Sequence, residues 1–312
     1  MKAFPYRAAA LLVLVLVASL PLFTACRDHR SALAPSELEA LEAFRARRLE
    51  RLTAPDGWLS LIALHWLDEG THTFGSDTEC DIVLPDPAIP PVAGTLERTE
   101  DDRVLLRVTK PDAVTVNGIH VTTTLLTDDR TGNPDIVRTG RILFYVIRRG
   151  DRLGVRVKDP ESPARTAFRG LSWYPPDGRY RVVARFEPFP RPRIVRVPTK
   201  IGTEAEFTAP GTLTFTLEGK ELSLLPLVEG PDSRELFIVF RDATSGKTTY
   251  GAGRFLDAHL EDDGTAILDF NRAYNPPCAF TPYATCPLAP PENELPVPVY
   301  AGEKLPPGFH GH

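Results

Sequence analysis

The sequence predicts a mainly β protein of two antiparallel β units, led by one N-terminal helix. Three observations carry that expectation. Proline is abundant, at 31 of 312 residues, and Met1 is the only methionine, a composition poor in long helical runs. From Gly70 onward, short apolar or alternating stretches recur between turn residues. One segment, 34–52, has helical spacing, with Leu38, Leu41, Phe44 and Leu49 recurring at about one turn. Pro35-Ser36 and the acidic residues after them suit a helix start. Arg45, Arg47, Arg48 and Arg51 crowd the second half, where cations oppose the helix dipole. The segment reads as a surface helix, and its arginines also suit anionic headgroups.

Residues 57–67 (GWLSLIALHWL) form an apolar patch whose two tryptophans are expected in the core. Strands are expected at 71–74, 81–84, 104–108, 114–116 and 142–147, with Asn117-Gly118 as a hairpin turn because both residues tolerate positive φ. A second strand-rich region begins near Gly170, with strands at 179–186, 193–197, 212–217, 223–227, 235–240 and 247–250. Strands about ten residues apart suggest a sandwich or barrel. Pro188, Pro190 and Pro192 should make the link between the first two of these strands a stiff connector.

Residues 253–271 read as a hairpin. Leu256, Ala258, Ala266, Leu268 and Phe270 alternate with polar neighbours, so pairing across Asp262-Asp263-Gly264 gathers Asp257, His259, Asp269 and Asn271 on the opposite face. A carboxylate pair beside an imidazole is a candidate catalytic set, able to move protons. It is equally the wet face of an antiparallel hairpin, with Arg254 or Arg272 as neutralising partner. After it, prolines at 276, 277, 282, 287 and 290 forbid helix and central strand. Asn271, Arg272, Tyr274, Asn275 and Tyr283 are interleaved there. With Arg254 they form a candidate site for an anionic or hydroxyl-rich ligand, saccharide-like for example; the alternative is a structural cap.

The net charge of -5 argues against a nucleic-acid partner. No P-loop, dinucleotide fingerprint, nucleophile elbow or His-Glu-x-x-His helix occurs, and neither a cofactor nor a metal site is expected.

The start of the chain has the layout of a secretory signal peptide: Lys2 and Arg7, then an unbroken apolar run over 8–18, then Leu22-Phe23-Thr24-Ala25-Cys26. The run falls well short of the roughly 20 residues that cross a bilayer. The cysteine after Thr-Ala makes the segment resemble a bacterial lipoprotein signal. That resemblance implies that Cys26 becomes the lipidated first residue and that the protein is tethered to a membrane of the cell envelope, facing the periplasm or exterior. The organisation is then a leader at 1–25, a tether and helix at 26–53, a first β domain at 54–165 and a second, with its Pro-rich C-terminal segment, at 166–312. In an exported protein Cys278 and Cys286 are expected to form a short-loop disulfide, the alternatives being two free thiols, a metal site or a nucleophile. Cys80 reads as a small buried hydrophobe.

Phe74-Gly75-Ser76, Cys80 to Asp86 (CDIVLPD) and Asn117-Gly118 resemble a forkhead-associated (FHA) β-sandwich. The phosphothreonine-reading residues of that family are not matched. Ser76 stands where an arginine is expected, and Pro-Ala-Ile-Pro-Pro-Val-Ala-Gly follows Asp86. The string DFNRAYNPPCAFTPYATCPL at 269–288, with Thr249 to Phe255 before it, Ala301-Gly302-Glu303-Lys304 after it, and Gly57-Trp58-Leu59 and Arg149-Gly150-Asp151-Arg152 further back, resembles an uncharacterised prokaryotic family of unknown function over nearly all of the chain after the leader. The resemblance implies no activity, but it makes this segment the centre of interest. The expectation is a lipid-anchored, extracytoplasmic, ligand-binding β protein. The alternatives are a hydrolase using Asp269 with His259, His310 or His312, and a structural envelope protein.

Overall fold

The computed structural model describes Met1 and residues 31–228, 230 and 233–305. The leader with Cys26, and the histidines at 310 and 312, lie outside the described residues. Within the unit that begins at Ser31 the protein is mainly β, as expected.

The helix α1 (Pro35–Thr53) starts with the Glu37 carboxylate accepting from the Ala34 N–H at 2.9 Å. Its inward line is Leu41, Phe44, Arg48 and Leu52, one helical stripe. Leu38 and Leu49, expected on that stripe, are instead exposed. The arginines divide as well. Arg45 lies 4.8 Å above the Trp173 ring and Arg48 is buried, while Arg47 and Arg51 face solvent.

The first half contributes β1 (Leu61–Leu67), β2 (Gly70–Gly75), β3 (Ile82–Val83), β4 (Gly94–Arg98), β5 (Val104–Val108), β6 (Val114–Val116), β7 (Ile119–His120), β8 (Thr123–Leu126), β9 (Val137–Thr139), β10 (Ile142–Arg149) and β11 (Arg152–Lys158). They form two sheets, ordered β1-β11-β10-β9-β6-β7 and β3-β2-β4-β5-β8. Alternate residues from both, among them Phe74, Leu96, Leu106, Phe144 and Val155, fill one sandwich core. Asn117 (φ 51°) and Gly118 (φ 83°) turn between β6 and β7, as their tolerance of positive φ predicts.

The second half contributes β12 (Arg181–Pro198), β13 (Glu204–Leu217), β14 (Lys220–Leu224), β15 (Glu235–Phe240), β16 (Arg254–His259) and β17 (Thr265–Asp269). One sheet runs β14-β13-β12-β17 and a second pairs β15 with β16; no barrel closes among the described residues. The two strands expected around Pro188, Pro190 and Pro192 are one continuous strand. Its ladder to β13 lapses between Pro188 and Arg193, because proline lacks the N–H to sustain it, but the chain stays extended. The expected hairpin also opens. Beyond the bridge Leu260–Ala266, β16 pairs with β15 and β17 with β12, so their apolar faces enclose one core of Leu256, Ala258, Ala266, Leu268 and Phe270. Residues 247–250 form a turn instead of a strand.

The Pro-rich segment crosses between the halves. The Thr285 hydroxyl accepts from Arg149 Nε at 3.0 Å and Arg156 Nη2 at 2.9 Å, and the Thr281 hydroxyl donates to the Leu61 carbonyl at 3.2 Å. These bonds hold it against the outer side of the six-stranded sheet.

Candidate functional site

The residues singled out in the sequence divide into a sealed set and an open set. Arg254 is sealed: 1% exposed, it donates from Nη2 to Asp242 Oδ2 at 2.6 Å and to the Val299 carbonyl at 3.1 Å, and from Nη1 to the Ala301 carbonyl. Arg254 shares strand parity with Leu256 and Ala258, which carries it into the core. Asn271 is sealed too. Its Oδ1 accepts from the Asp177 N–H at 2.9 Å, and its Nδ2 donates to the Asp177 carbonyl and to Asp269 Oδ1, both at 3.0 Å. It leaves the polar face because β17 ends at Asp269, whose carboxylate caps a tight 3₁₀ turn over Phe270–Arg272, and strand alternation stops there. Asn275 donates from Nδ2 to Glu303 Oε1 and to the Lys304 carbonyl, both at 2.9 Å. Glu303 also accepts from Arg48 Nε at 3.3 Å, and burial pushes its carboxyl above the usual carboxylate range.

The open set lies on the outer face of β16 and its neighbours. Asp257, His259, Asp269 and Arg272 line one cleft of about 440 Å³ beside the first turn of α1, as the alternation of 253–271 predicted for the first three. Arg272 leans over the Phe44 ring at 5.4 Å. His259 Nδ1 is 2.7 Å from Glu235 Oε1, its cross-strand partner. Among the described residues, no group of three or more histidines, cysteines or acids is placed to hold a metal ion. Tyr283 is exposed and lines none of the clefts around Asp257.

Asp257 is the wall common to three concavities. Besides the cleft just described, it borders an aromatic slot of about 290 Å³ lined by Phe44, Arg48, Arg51, Trp58, Phe237, Phe255, Tyr274 and Pro277. It also borders a third hollow of about 460 Å³ beside Leu227 and Phe237. Tyr274 is fixed here by reciprocal backbone hydrogen bonds with Phe255, at 2.8 and 2.9 Å, and its hydroxyl donates to Asp257 Oδ2 at 3.1 Å. The crowding walls raise the Asp257 carboxyl, Glu235 adds to the rise, and the Tyr274 hydrogen bond and Arg51 oppose it. Burial and the adjacent carboxylate likewise push the Tyr274 phenol up, so it stays a donor.

The expected Cys278–Cys286 bridge is not formed. Both are buried thiols in contact, with the Cys278 N–H 3.3 Å from Cys286 Sγ. The neighbouring Cys278 and burial push the Cys286 thiol up, so it keeps its proton. Cys80 is buried against the Pro91 carbonyl, a small core residue as expected. Sequence reasoning missed Arg51, Trp58 and Phe237 as groove residues. Arg51 and Trp58 arrive from the start of the protein, and only tertiary packing brings them to Tyr274; Phe237 was legible only as a strand residue.

Residues 166–304 match the model of a family described as "Protein of unknown function (DUF1684)". An uncharacterized protein of Haloarcula marismortui, solved by NMR, is 35% identical over 47% of this chain and 82% of its own, with a TM-score of 0.40. An FHA domain from a study of phosphothreonine-dependent FHA interactions is 19% identical over 30% of this chain and 92% of its own, with a TM-score of 0.22. The FhaA FHA domain, in complex with the intracellular domain of Rv3910, is 19% identical over 30% of this chain and 97% of its own, also with a TM-score of 0.22. No curated protein matches the chain.

Proposed function

We propose that this chain is a lipid-anchored, extracytoplasmic protein that binds a small ligand in the groove around Asp257 and Tyr274. One observation carries the ligand reading: a single carboxyl, held by a tyrosine hydroxyl and raised by its surroundings, borders three adjoining hollows. Arg51 at the edge of the slot is exposed and has no ion-pair or hydrogen-bond partner among the described residues, so its guanidinium is free to meet a ligand. Of the polar residues singled out in 271–283, Tyr274 and Arg272 are the ones that line this groove. A thermal-shift screen of sugars, small anions and zwitterions on wild type and Tyr274→Phe tests the reading. A shift with one compound that the variant loses is expected; silence across the panel, or a shift the variant keeps, contradicts it.

A second reading, hydrolysis, is favoured by the same raised carboxyl, since a carboxylic acid that keeps its proton to higher pH is suited to general acid catalysis. Turnover of chromogenic esters or glycosides, lost in Asp257→Asn, is its expected signature; identical rates in the two proteins would remove it.

The anchor rests on the layout of the first 26 residues. Cys26→Ser removes the thiol that would accept lipid. It is expected to abolish labelling by a fatty-acid analogue and membrane fractionation, and an unlabelled wild type that retains residues 1–25 would contradict the assignment.

A further inference from the structure

The slot beside Tyr274 carries two opposite charges that do not meet. Arg51 stands on its α1 side and Asp257 on its β16 side; both line the slot, and each feels the other's field. Among the described residues no ion pair joins them, and Arg51 has no other partner. The third charge in the slot, Arg48, is already neutralised by Glu303 at 3.3 Å and donates to the Asn275 carbonyl at 2.9 Å, so it offers little free charge. The walls between the two poles are aromatic. Phe255 meets Phe237 at 73° with centroids 4.8 Å apart, and meets Tyr274 at 90° and 5.8 Å. The Tyr274 ring already carries the Arg48 guanidinium at 5.2 Å from its centroid, so the ring surface left for a ligand cation is that of Phe237 and Phe255.

Taking the groove reading above as its basis, we infer that the slot binds a small zwitterion, with a methylated ammonium against the rings and Asp257 and a carboxylate on Arg51. Each part follows from the chemistry present. Ring faces attract a cation through their quadrupole and offer it no hydrogen-bond acceptor, which favours an ammonium whose protons are replaced by methyl groups. A carboxylate beside the cage adds to that attraction. A guanidinium at the other side matches a carboxylate with paired N–H donors. A neutral saccharide would leave both charges unanswered. The volume, about 290 Å³, is of small-molecule size.

The test is isothermal calorimetry with four probes: glycine betaine, choline (the cation alone), tert-butylacetate (the anion with an uncharged isostere of the ammonium) and glucose. Betaine is expected to bind at least about tenfold more tightly than either singly charged probe, about 1.4 kcal/mol. Both Arg51→Ala and Asp257→Asn should remove that advantage. Arg51 is exposed and unpartnered, so its variant is expected to fold as wild type does, which circular dichroism and melting will verify. Choline or tert-butylacetate binding as tightly as betaine would overturn the inference, as would betaine binding unchanged in the two variants, or none at all. Glucose binding that Tyr274→Phe abolishes would overturn the zwitterion while leaving the groove standing. If no probe binds and the wider thermal-shift panel is also silent, the groove reading falls with it.

Discussion

Arg254 with Asp242 and Arg51 with Asp257 set the same two chemistries in opposite surroundings. The first pair meets at 2.6 Å with Arg254 1% exposed, and backbone carbonyls take up further guanidinium donors. The second does not meet, and stands in a slot walled by Phe237, Phe255 and Tyr274. Removing one partner of a buried pair strands the other in a medium that cannot solvate it. Removing one member of the open pair leaves a side chain that water still reaches. The contrast teaches that residue type says little about function here, and that burial with a counter-ion in place says much more.

The largest effect should come from breaking the sealed pair. Asp242→Ala is expected to cost about 3–5 kcal/mol in denaturant unfolding, because Arg254 keeps its charge and loses its counter-ion. A loss below about 1 kcal/mol would mean that the pair is not the brace described here. Next comes Asn271→Ala, which deletes three side-chain hydrogen bonds, two of them buried, and leaves the Asp177 N–H unpaired. A cost of about 2–3 kcal/mol is expected by the same measurement. Neither substitution should change the order in which small ligands bind, when measured at a temperature where the variant is folded.

Asp257→Asn should act in the opposite sense. The folded carboxyl titrates above its unfolded value, so the unfolded chain ionises first as pH rises. The wild type therefore loses stability to this group from the ordinary carboxylate range up to the raised value, after which the loss is constant. Melting temperatures of wild type and variant are expected to lie closest in acid and to separate as pH rises, with the variant the more stable at neutral pH. The groups facing Asp257 are Tyr274, Arg51 and Glu235. A variant less stable than wild type at neutral pH would contradict the assignment. The smallest effect is that of Tyr274→Phe, which removes a hydrogen bond favouring the ionised carboxyl. Carboxyl carbon NMR should find Asp257 titrating at a higher pH still, and an unchanged titration would mean that the hydrogen bond has no influence.

Much of this contrast was legible in the sequence through parity. Alternation over 253–271 correctly assigned Leu256, Ala258, Ala266 and Leu268 to the core and left Asp257 and His259 outside. The same rule, applied to Arg254, would have placed it inward, but charge suggested a surface role. Alternation failed at Asn271 because Asp269 ends the strand with a side-chain cap, a local bond that no period records. The N-terminal helix was legible in extent but not in facing. Leu38 and Leu49 invited an apolar stripe, whereas Arg48 took a buried place because Glu303, far along the chain, neutralises it. Arg51 and Trp58 reach Tyr274 by packing between distant segments, which local sequence patterns do not contain.

The central claim is that ligand contact falls on the open set and spares the sealed one. Amide chemical-shift mapping of the protein, titrated with whichever panel compound raises its melting temperature most, tests it directly. The account predicts that the largest shifts fall on Tyr274, Asp257, Phe237 and the turn of α1 that carries Arg51, with Arg254, Asn271 and Tyr283 little moved. Shifts centred on the Tyr283 loop, or spread through the Arg254–Asp242 layer while the groove stays silent, would contradict it.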